Sequence, residues 1–480
     1  MKKKAVSKVF KMFLWLLLGF DLLLLGGVLL FTYESVREKE PRAPKIGLAL
    51  AGGCLLLAGL LVFLPLIHIP VAVLFSCMVI MALVFMIPGK PNPRAMAGSK
   101  GCVQGEFARF DERDSVFARN RSLPEGSERY RNYYETHPEK EETDKKRRAK
   151  GGPVAKAGSI DNGYQPNVAM MGAGFGFVNY MGPHARVEPG METAKAELDP
   201  ARATRIVKGL ARHLGADLVG VCRLDPRWAY CNRGEIHYGN WEDYGAEIPE
   251  PLPYAVVMAT EMDVDLVYGG PHTPGVVESA LNYAKGSYLT TILASWFGEM
   301  GYRATAQHSR NYDLLTVPLA IDAGLGELGR LGYLISDKYG ARVRVFAVTT
   351  DMPLVPDSPV DLGVEKFCEG CMKCADSCPS RSIPHGEKTL LRGLLRWKLN
   401  EDTCFDYWAK VGTDCSVCMA VCPFSRPNRS IHRLVRWFVG RSSLAQRIFP
   451  YIDNWLYGKR WKPREVPEWI RQPRKKALSS

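Results

Sequence analysis

The chain has 480 residues, of which 46% are hydrophobic and 24% charged. That balance excludes wholesale disorder and leaves length for two or three domains, and the lack of any Gly or Pro period excludes collagen-like and solenoid architectures. The net charge of +13 is uneven, with 14 Lys+Arg against 3 Asp+Glu between Arg426 and Ser480, a tail suited to anionic lipid, to nucleic acid, to an acidic face of its own chain or simply to solvent.

The first predicted element is an apolar run of 20 residues, Met12–Phe31, broken only by Asp21. At about 1.5 Å per residue it matches the hydrocarbon thickness of a bilayer. Ile46–Ile87 is a second apolar stretch of 42 residues, too long for one span. Pro65 and Pro70 flank its middle, so it reads as two spans with a turn near Leu66–Pro70 that carries His68. The first run is longer than a secretory h-region and lacks a small-x-small cleavage site, so it reads as an anchor. Five lysines precede it; the Thr32–Lys45 loop has four Lys+Arg and Lys90–Lys100 three. In a three-span topology the last two segments share a side, which favours a multi-pass cell-membrane protein with its main domain in the cytoplasm. The absence of a twin-arginine pair points the same way.

The chain then divides into a membrane anchor with three transmembrane helices (1–89), a polar linker (90–157), a globular core (158–361), a cysteine-rich segment (362–428) and a basic C-terminal tail (429–480). The linker alternates blocks of opposite charge, with one surface helix expected at Ser127–Glu135. In the core, helical spacing marks Pro200–Leu214, and Ser279–Met300 is a longer helix stopped by Gly301. Asp217–Cys222, Tyr254–Thr260 and Val343–Val348 read as buried strands. The mixture predicts an α/β or α+β fold.

Eight of the 13 cysteines fall between Cys368 and Cys422. Cys368, Cys371, Cys374 and Cys378-Pro379 have the spacing that wraps a [4Fe–4S] cluster, and the fourth cysteine of such a run ligates the other cluster of a two-cluster ferredoxin. Cys404, Cys415, Cys418 and Cys422-Pro423 form the second set. Crossed pairing gives Cys368, Cys371, Cys374 and Cys422 to one cluster, and Cys378, Cys404, Cys415 and Cys418 to the other. Zinc is the competing reading, but the three-step run is not its usual spacing. Gly324-x-Gly326-x-x-Gly329 formally matches a dinucleotide fingerprint without a clear strand before it; close approach to a flat cofactor explains it better.

Ala320–Arg330 (AIDAGLGELGR), Tyr339–Arg344 (YGARVR), Thr350–Leu354 (TDMPL), Phe367–Pro379 (FCEGCMKCADSCP), Cys404–Trp408 (CFDYW) and Asp414–Phe424, taken together and in order, resemble the corrinoid-dependent reductive dehalogenases. The resemblance covers about Asp199–Asn428. It implies a nitroreductase-like corrinoid-binding core joined to a ferredoxin-like segment with two [4Fe–4S] clusters. It also implies replacement of an organohalide's halogen by hydrogen. By motif position, Tyr283 is the proton donor, Arg344 lies beside it and Asn311 helps shape the site. A guanidinium beside a phenol favours the phenolate and so makes Tyr a better acid. The resemblance further implies a small-molecule organohalide substrate; a quinol and a ferredoxin-type electron donor are both open, and the spans add membrane lipid. No nucleic acid is expected, and homo-oligomerisation stays open. No Asp-x-His-x-x-Gly run supplies a lower cobalt ligand, and His213, His237, His272 and His308 read as structural. The alternatives are a relative of epoxyqueuosine reductase acting on tRNA, which the basic tail would suit, and a membrane iron–sulfur electron-transfer subunit.

Overall fold

Leu-rich sequence with no internal proline lets the first helix, α1 (Lys2–Arg37), run without a break for 36 residues. In this computed structural model, which describes residues 2–150, 164–190 and 194–473, the second apolar stretch divides as its prolines require. α2 (Ala43–Phe63) ends before a 3-10 turn at Pro65–Ile67, and α3 (His68–Met86) follows. All three helices are long and apolar enough to cross a membrane. Leu17, Leu61, Val71 and Phe75 form their shared core. Gly47 lets α2 approach α1, because a Cβ there would sit 2.1 Å from Thr32 Oγ1. His68 is buried at the turn, with Nε2 2.7 Å from the Leu61 carbonyl and its ring stacked on Phe10 at 4.9 Å.

The chain folds as two units: Met1–Lys90 with Pro427–Lys459, and Pro91–Arg426 with the segment from Arg460 onward. In the second unit the stretch 90–157, expected as a linker, is folded as far as Lys150; residues 151–163, which hold the expected linker–core boundary, lie outside the described residues. Helices Val116–Arg121, Glu128–Thr136 and Pro138–Ala149 enclose a small core of Leu123, Tyr130, Tyr133 and Tyr134. The helix expected at Ser127–Glu135 is present with Ser127 as its cap, but three tyrosines on it are buried. The charge blocks that read as solvated pair internally. Arg119 and Arg147 are both buried and share Asp144, at 2.8 and 2.6 Å. A buried guanidinium survives only when so paired.

The core holds a five-stranded sheet: β1 (Arg186–Val187), β2 (Leu218–Arg223), β3 (Tyr254–Glu261), β4 (Ala304–Gln307) and β5 (Val343–Thr350). Its order is β1-β4-β5-β3-β2, and every pair is antiparallel. Of the two fold readings the core is therefore α+β. Side chains alternate faces along a strand. Ala255, Val257 and Ala259 pack with Leu319 and Ala320 of helix Thr316–Asp322. Val256 and Met258 pack on the other face with helix α5, Pro200–Leu214, and helix α6, Pro274–Glu299. Helix α4, Gln165–Met181, lies against α6. α6 begins five residues earlier than its sequence reading, because Pro274 suits a first turn, and it ends before Gly301, whose φ of +82° stops it.

Two C-terminal helices, α7 (Ser430–Val439) and α8 (Ser443–Tyr457), belong to the first unit. The basic tail is thus helical over Ser430–Val439 and Ser443–Tyr457; residues 474–480 lie outside the described residues.

Candidate active site and cysteine chambers

α6 and β5 set the candidate site. On a helix, residues four apart share a face, so Ser279 and Tyr283 stand one turn apart. Gly286, on the next turn, lets α6 close on β5: a Cβ there would meet Phe346 at 2.2 Å. Arg344, opposite Thr260 in the ladder, shares the face of Phe346. Its guanidinium carbon lies 5.0 Å from the Tyr283 ring centroid, a cation–π approach. Phe175 and Phe346 flank the same ring at 6.1 and 6.3 Å.

Arg344 is also tied down from behind. Its Nη2 donates to Ser279 Oγ at 2.5 Å, and Ser279 donates to Asp414 Oδ2 at 2.5 Å. Arg344 and Asp414 approach to 3.6 Å. Burial pulls the Arg344 pKa down, but Tyr283, Asp414 and Tyr333 outweigh it and the net direction is up. Burial raises the Asp414 carboxyl, while Arg344 and Ser279 oppose that shift. The Ser279–Asp414 link spans 135 positions, and no local motif announces it.

Asn311 is buried, and its Nδ2 donates to the Ala306 carbonyl at 3.0 Å. Its backbone pairs with His308 in both directions at 2.9 Å. The side chain therefore holds its own turn. The neighbouring Arg310, which the sequence reading passed over, reaches the site instead. It stacks on Phe175 at 4.9 Å, donates to Asn179 at 2.6 Å and feels Tyr283 electrostatically. His237 and His308 lie near it, and burial followed by Arg310 and His237 pushes His308 down to about 4. His237 Nδ1, His308 Nε2 and Ser309 Oγ are buried without hydrogen-bond partners.

The glycine run is explained by the chain itself rather than by an approaching cofactor. A Cβ at Gly324 would meet the Ser358 carbonyl at 2.5 Å, and one at Gly326 the Ile335 carbonyl at 2.2 Å.

The cysteines lie in two matching loops. Helices Val364–Cys371 and Lys373–Ser377 meet at Met372, and Ser416 precedes helix Val417–Val421; both junction residues have positive φ, 52° and 54°. Each loop then leaves its helix at a Cys-Pro step. No disulfide joins any of the eight. Burial pushes Cys374 well above the usual thiol range, and Cys368, Cys371 and Cys422 raise it further, with a smaller push from Cys418. Burial does the same to Cys418, raised further by Cys415, Cys404 and Cys378. Cys374 thus feels Cys368, Cys371 and Cys422 most among the thiols, and Cys418 feels Cys415, Cys404 and Cys378. Among the described residues no three His, Cys, Asp or Glu side chains converge closely enough for a single ion. Buried and half-buried thiols spread around a common space suit a cluster, which takes four thiolates.

A cavity is lined by Cys378, Cys404, Cys415 and Cys418 together with Arg344 and Tyr333. Trp408 Nε1, Ser416 Oγ, Asp414 Oδ1 and Arg344 Nε are buried around it with no hydrogen-bond partner, and Ser382 N–H donates to Cys378 Sγ at 3.2 Å. The orphaned donors of Trp408, Ser416 and Arg344 around these thiols fit an iron–sulfur cluster, whose sulfurs accept hydrogen bonds. Tyr333, also unnoticed in the sequence, is half-buried; desolvation lifts its pKa well above 10, and it senses Cys418 and Cys404 on one side and Arg344 and Tyr283 on the other. The second set therefore borders the Tyr283–Arg344 site.

Residues 367–425 match the 4Fe-4S dicluster domain family, so the segment carries two [4Fe–4S] clusters. The chain is 32% identical over 301 residues to a tetrachloroethene reductive dehalogenase of Sulfurospirillum multivorans, covering 56% of this chain and 59% of that one. It is 30% identical over 300 residues to a tetrachloroethene reductive dehalogenase of Desulfitobacterium hafniense, covering 53% of each. The chain thus spans between half and three fifths of these relatives' length. A solved catabolic reductive dehalogenase in complex with 3-bromo-4-hydroxybenzoic acid superposes with a TM-score of 0.59 at 25% identity, covering 75% of this chain and 48% of that one.

Proposed function

We propose that this chain, which belongs with the reductive dehalogenases, itself replaces the halogen of a small organohalide by hydrogen. The observation that carries the reading is the Tyr283–Arg344 pair, tied through Ser279 and Asp414 to the wall of the second cysteine chamber. The reaction consumes the organohalide, two electrons and one proton, and releases the hydrocarbon product and halide.

A corrinoid, when bound, supplies the strongly reducing cobalt centre that this reaction needs. The unpartnered polar atoms of His237, His308 and Ser309 suit its amide-fringed edge. Cys368, Cys371, Cys374 and Cys422 would hold one cluster and Cys378, Cys404, Cys415 and Cys418 the other, each supplying one-electron transfer. Tyr283 gives its hydroxyl proton to the carbon that loses halide. Arg344 stays charged throughout and stabilises the phenolate left behind. Ser279 and Asp414 keep the guanidinium over the ring. Phe175 and Phe346 fix the ring plane and keep water from the phenol. Asn311 shapes the site through its turn.

The nitroreductase-like character of the core, the three-pass topology and the cytoplasmic placement of the catalytic unit belong to the same proposal. An antiparallel sheet with helices on both faces and three span-length helices support it. Quinol and a ferredoxin-type protein remain the candidate electron donors.

The test is cobalt, iron and acid-labile sulfide per chain in anaerobically purified protein, followed by halide release with a reduced viologen on haloethenes and halophenols. About one cobalt and eight irons with halide release is the expected result. Eight irons without cobalt, after growth with ample corrinoid, would make the protein an electron carrier.

A further inference from the structure

The C-terminal helices α7 and α8 pose a packing problem that the active site does not solve. On α7, Ile431, Leu434, Val435 and Phe438 recur at helical spacing, and on α8 so do Ile448, Tyr451, Ile452 and Trp455. Ile431, Phe438 and Ile448 are half-buried at the margins of these stripes, and the rest face away from the protein: Leu434 is 55% exposed, Tyr451 67% and Trp455 51%. The opposite faces are buried through His432, Arg436 and Val439 on α7 and through Ala445 and Pro450 on α8.

Those buried faces grip particular ends of the apolar helices. Arg429 pairs with Glu34 at 3.0 Å, and His432 Nε2 lies 2.9 Å from Glu38, both at the end of α1. Tyr457 meets Phe31 at 6.3 Å, and Phe449 meets Phe85 near the end of α3 at 5.3 Å. Gly89 N–H donates to the Arg441 carbonyl at 2.6 Å. In a chain that crosses three times, the end of α1 and the end of α3 emerge on the same side. Phe31 and Phe85 are near the last apolar residues of their spans. The helices therefore sit at the depth where hydrocarbon gives way to headgroups.

We infer that α7 and α8 form an interfacial hairpin that lies in the bilayer surface, apolar stripes among the outer acyl chains and basic residues among anionic lipid headgroups. The chemistry matches on both counts. Trp437, Tyr451 and Trp455 are the residue types that settle at that depth. Arg433, Arg441, Arg447 and Lys459 are exposed and face headgroup phosphates, and Asp453 is the one acid between Ser430 and Lys459. Continuity with the span ends selects lipid over another protein as the occupant.

The inference rests on the reading of α1–α3 as spans, and the experiment separates the two. The holoprotein is placed in nanodiscs containing phosphatidylglycerol, with lipids brominated either near the glycerol end or near the tail end of the chain. Tryptophan quenching is compared in wild type, Trp437→Phe/Trp455→Phe and Trp15→Phe, with iron content confirming that each variant is folded. Trp15 is 71% exposed on α1 and reports the span. The expected result is that the double variant loses a large share, about a third or more, of the quenching by shallow bromine, and that this share shrinks when phosphatidylcholine replaces the anionic lipid. If Trp15→Phe changes the quenching while the double variant does not, the spans stand and the hairpin proposal falls. Iodide quenching of Trp437 and Trp455 from the water, or burial of both against a second protein without lipid quenching, also overturns it. Equal quenching in neutral and anionic discs removes the headgroup part. No effect of Trp15→Phe removes the span reading itself.

Discussion

Tyr283 and Arg344 can be separated by what the smallest substitution removes. Tyr283→Phe deletes one hydroxyl and keeps the ring that Phe175 and Phe346 flank. A lost general acid costs about 100-fold or more, so halide release should fall at least that far while iron and cobalt content stay unchanged; full turnover would remove Tyr283 from the role. Asn311→Ala should behave differently. It frees the Ala306 carbonyl in a buried turn, a loss of about 1–3 kcal/mol, so melting temperature and turnover should fall together. Away from the site, Glu112 has a pH signature. Burial, with Glu235 adding to it against Arg233, raises its carboxyl from 4.5 to about 7. The folded state then binds the proton more tightly than the unfolded chain, so this group's contribution is complete below about pH 4.5 and is lost as pH rises towards 7. Glu112→Gln keeps the neutral form. The variant should gain on the wild type in melting temperature between about pH 4.5 and about pH 7, and a constant difference across that range would refute the assignment.

Among the elements, helix Glu401–Val411 matters because it carries Cys404, the cysteine displaced from the regular spacing. It is braced from the stretch that read as a linker: Arg147 reaches Asp402 at 3.0 Å and Asp406 at 2.7 Å, and Arg119 reaches Asp402 at 2.5 Å. Arg147→Ala would leave Asp144 buried with Arg119 as its remaining arginine partner, a defect of about 3–5 kcal/mol. Because the brace acts on Cys404, iron should drop towards half while the other cluster persists; Arg147→Lys, which keeps the charge, should lose less. Unchanged iron in Arg147→Ala would show that the brace does not serve the cluster. This element was illegible in the sequence because its burial is achieved by ion pairs, which look like a solvated surface when read one residue at a time. Helix Gln165–Met181 was missed for a related reason: its Gly- and Met-rich run is apolar with no stripe. The strands and α5 were legible because one period fixes which side is buried, and the eight cysteines because ligand spacing survives without a partner. Tyr283 and Arg344 came from resemblance, whereas Ser279, Asp414, Arg310 and Tyr333 join the site only through tertiary packing.

At the scale of the molecule, the proposed crossed cysteine sets would make the two clusters unequal. Cys378, Cys404, Cys415 and Cys418 open on the cavity that Arg344 and Tyr333 also line. Cys374 is raised first by burial and then by Cys368, Cys371 and Cys422, and none of those four cysteines lines that cavity. Cys371→Ser and Cys418→Ser should each lower iron from about eight to about four per chain, but their consequences should differ. With Cys371→Ser, a small viologen can still reduce the set beside Arg344, so part of the turnover should remain and the loss should be greater with a protein donor. With Cys418→Ser, the thiols next to Arg344 no longer complete a set, and turnover should vanish with any donor although the other set still reduces. The same pairing predicts that Cys422→Ser behaves like Cys371→Ser and Cys378→Ser like Cys418→Ser, against their order along the chain. If Cys422→Ser instead tracked Cys418→Ser in both iron and turnover, the sets would be sequential rather than crossed, and the cluster bordering Tyr283 would have to be reassigned.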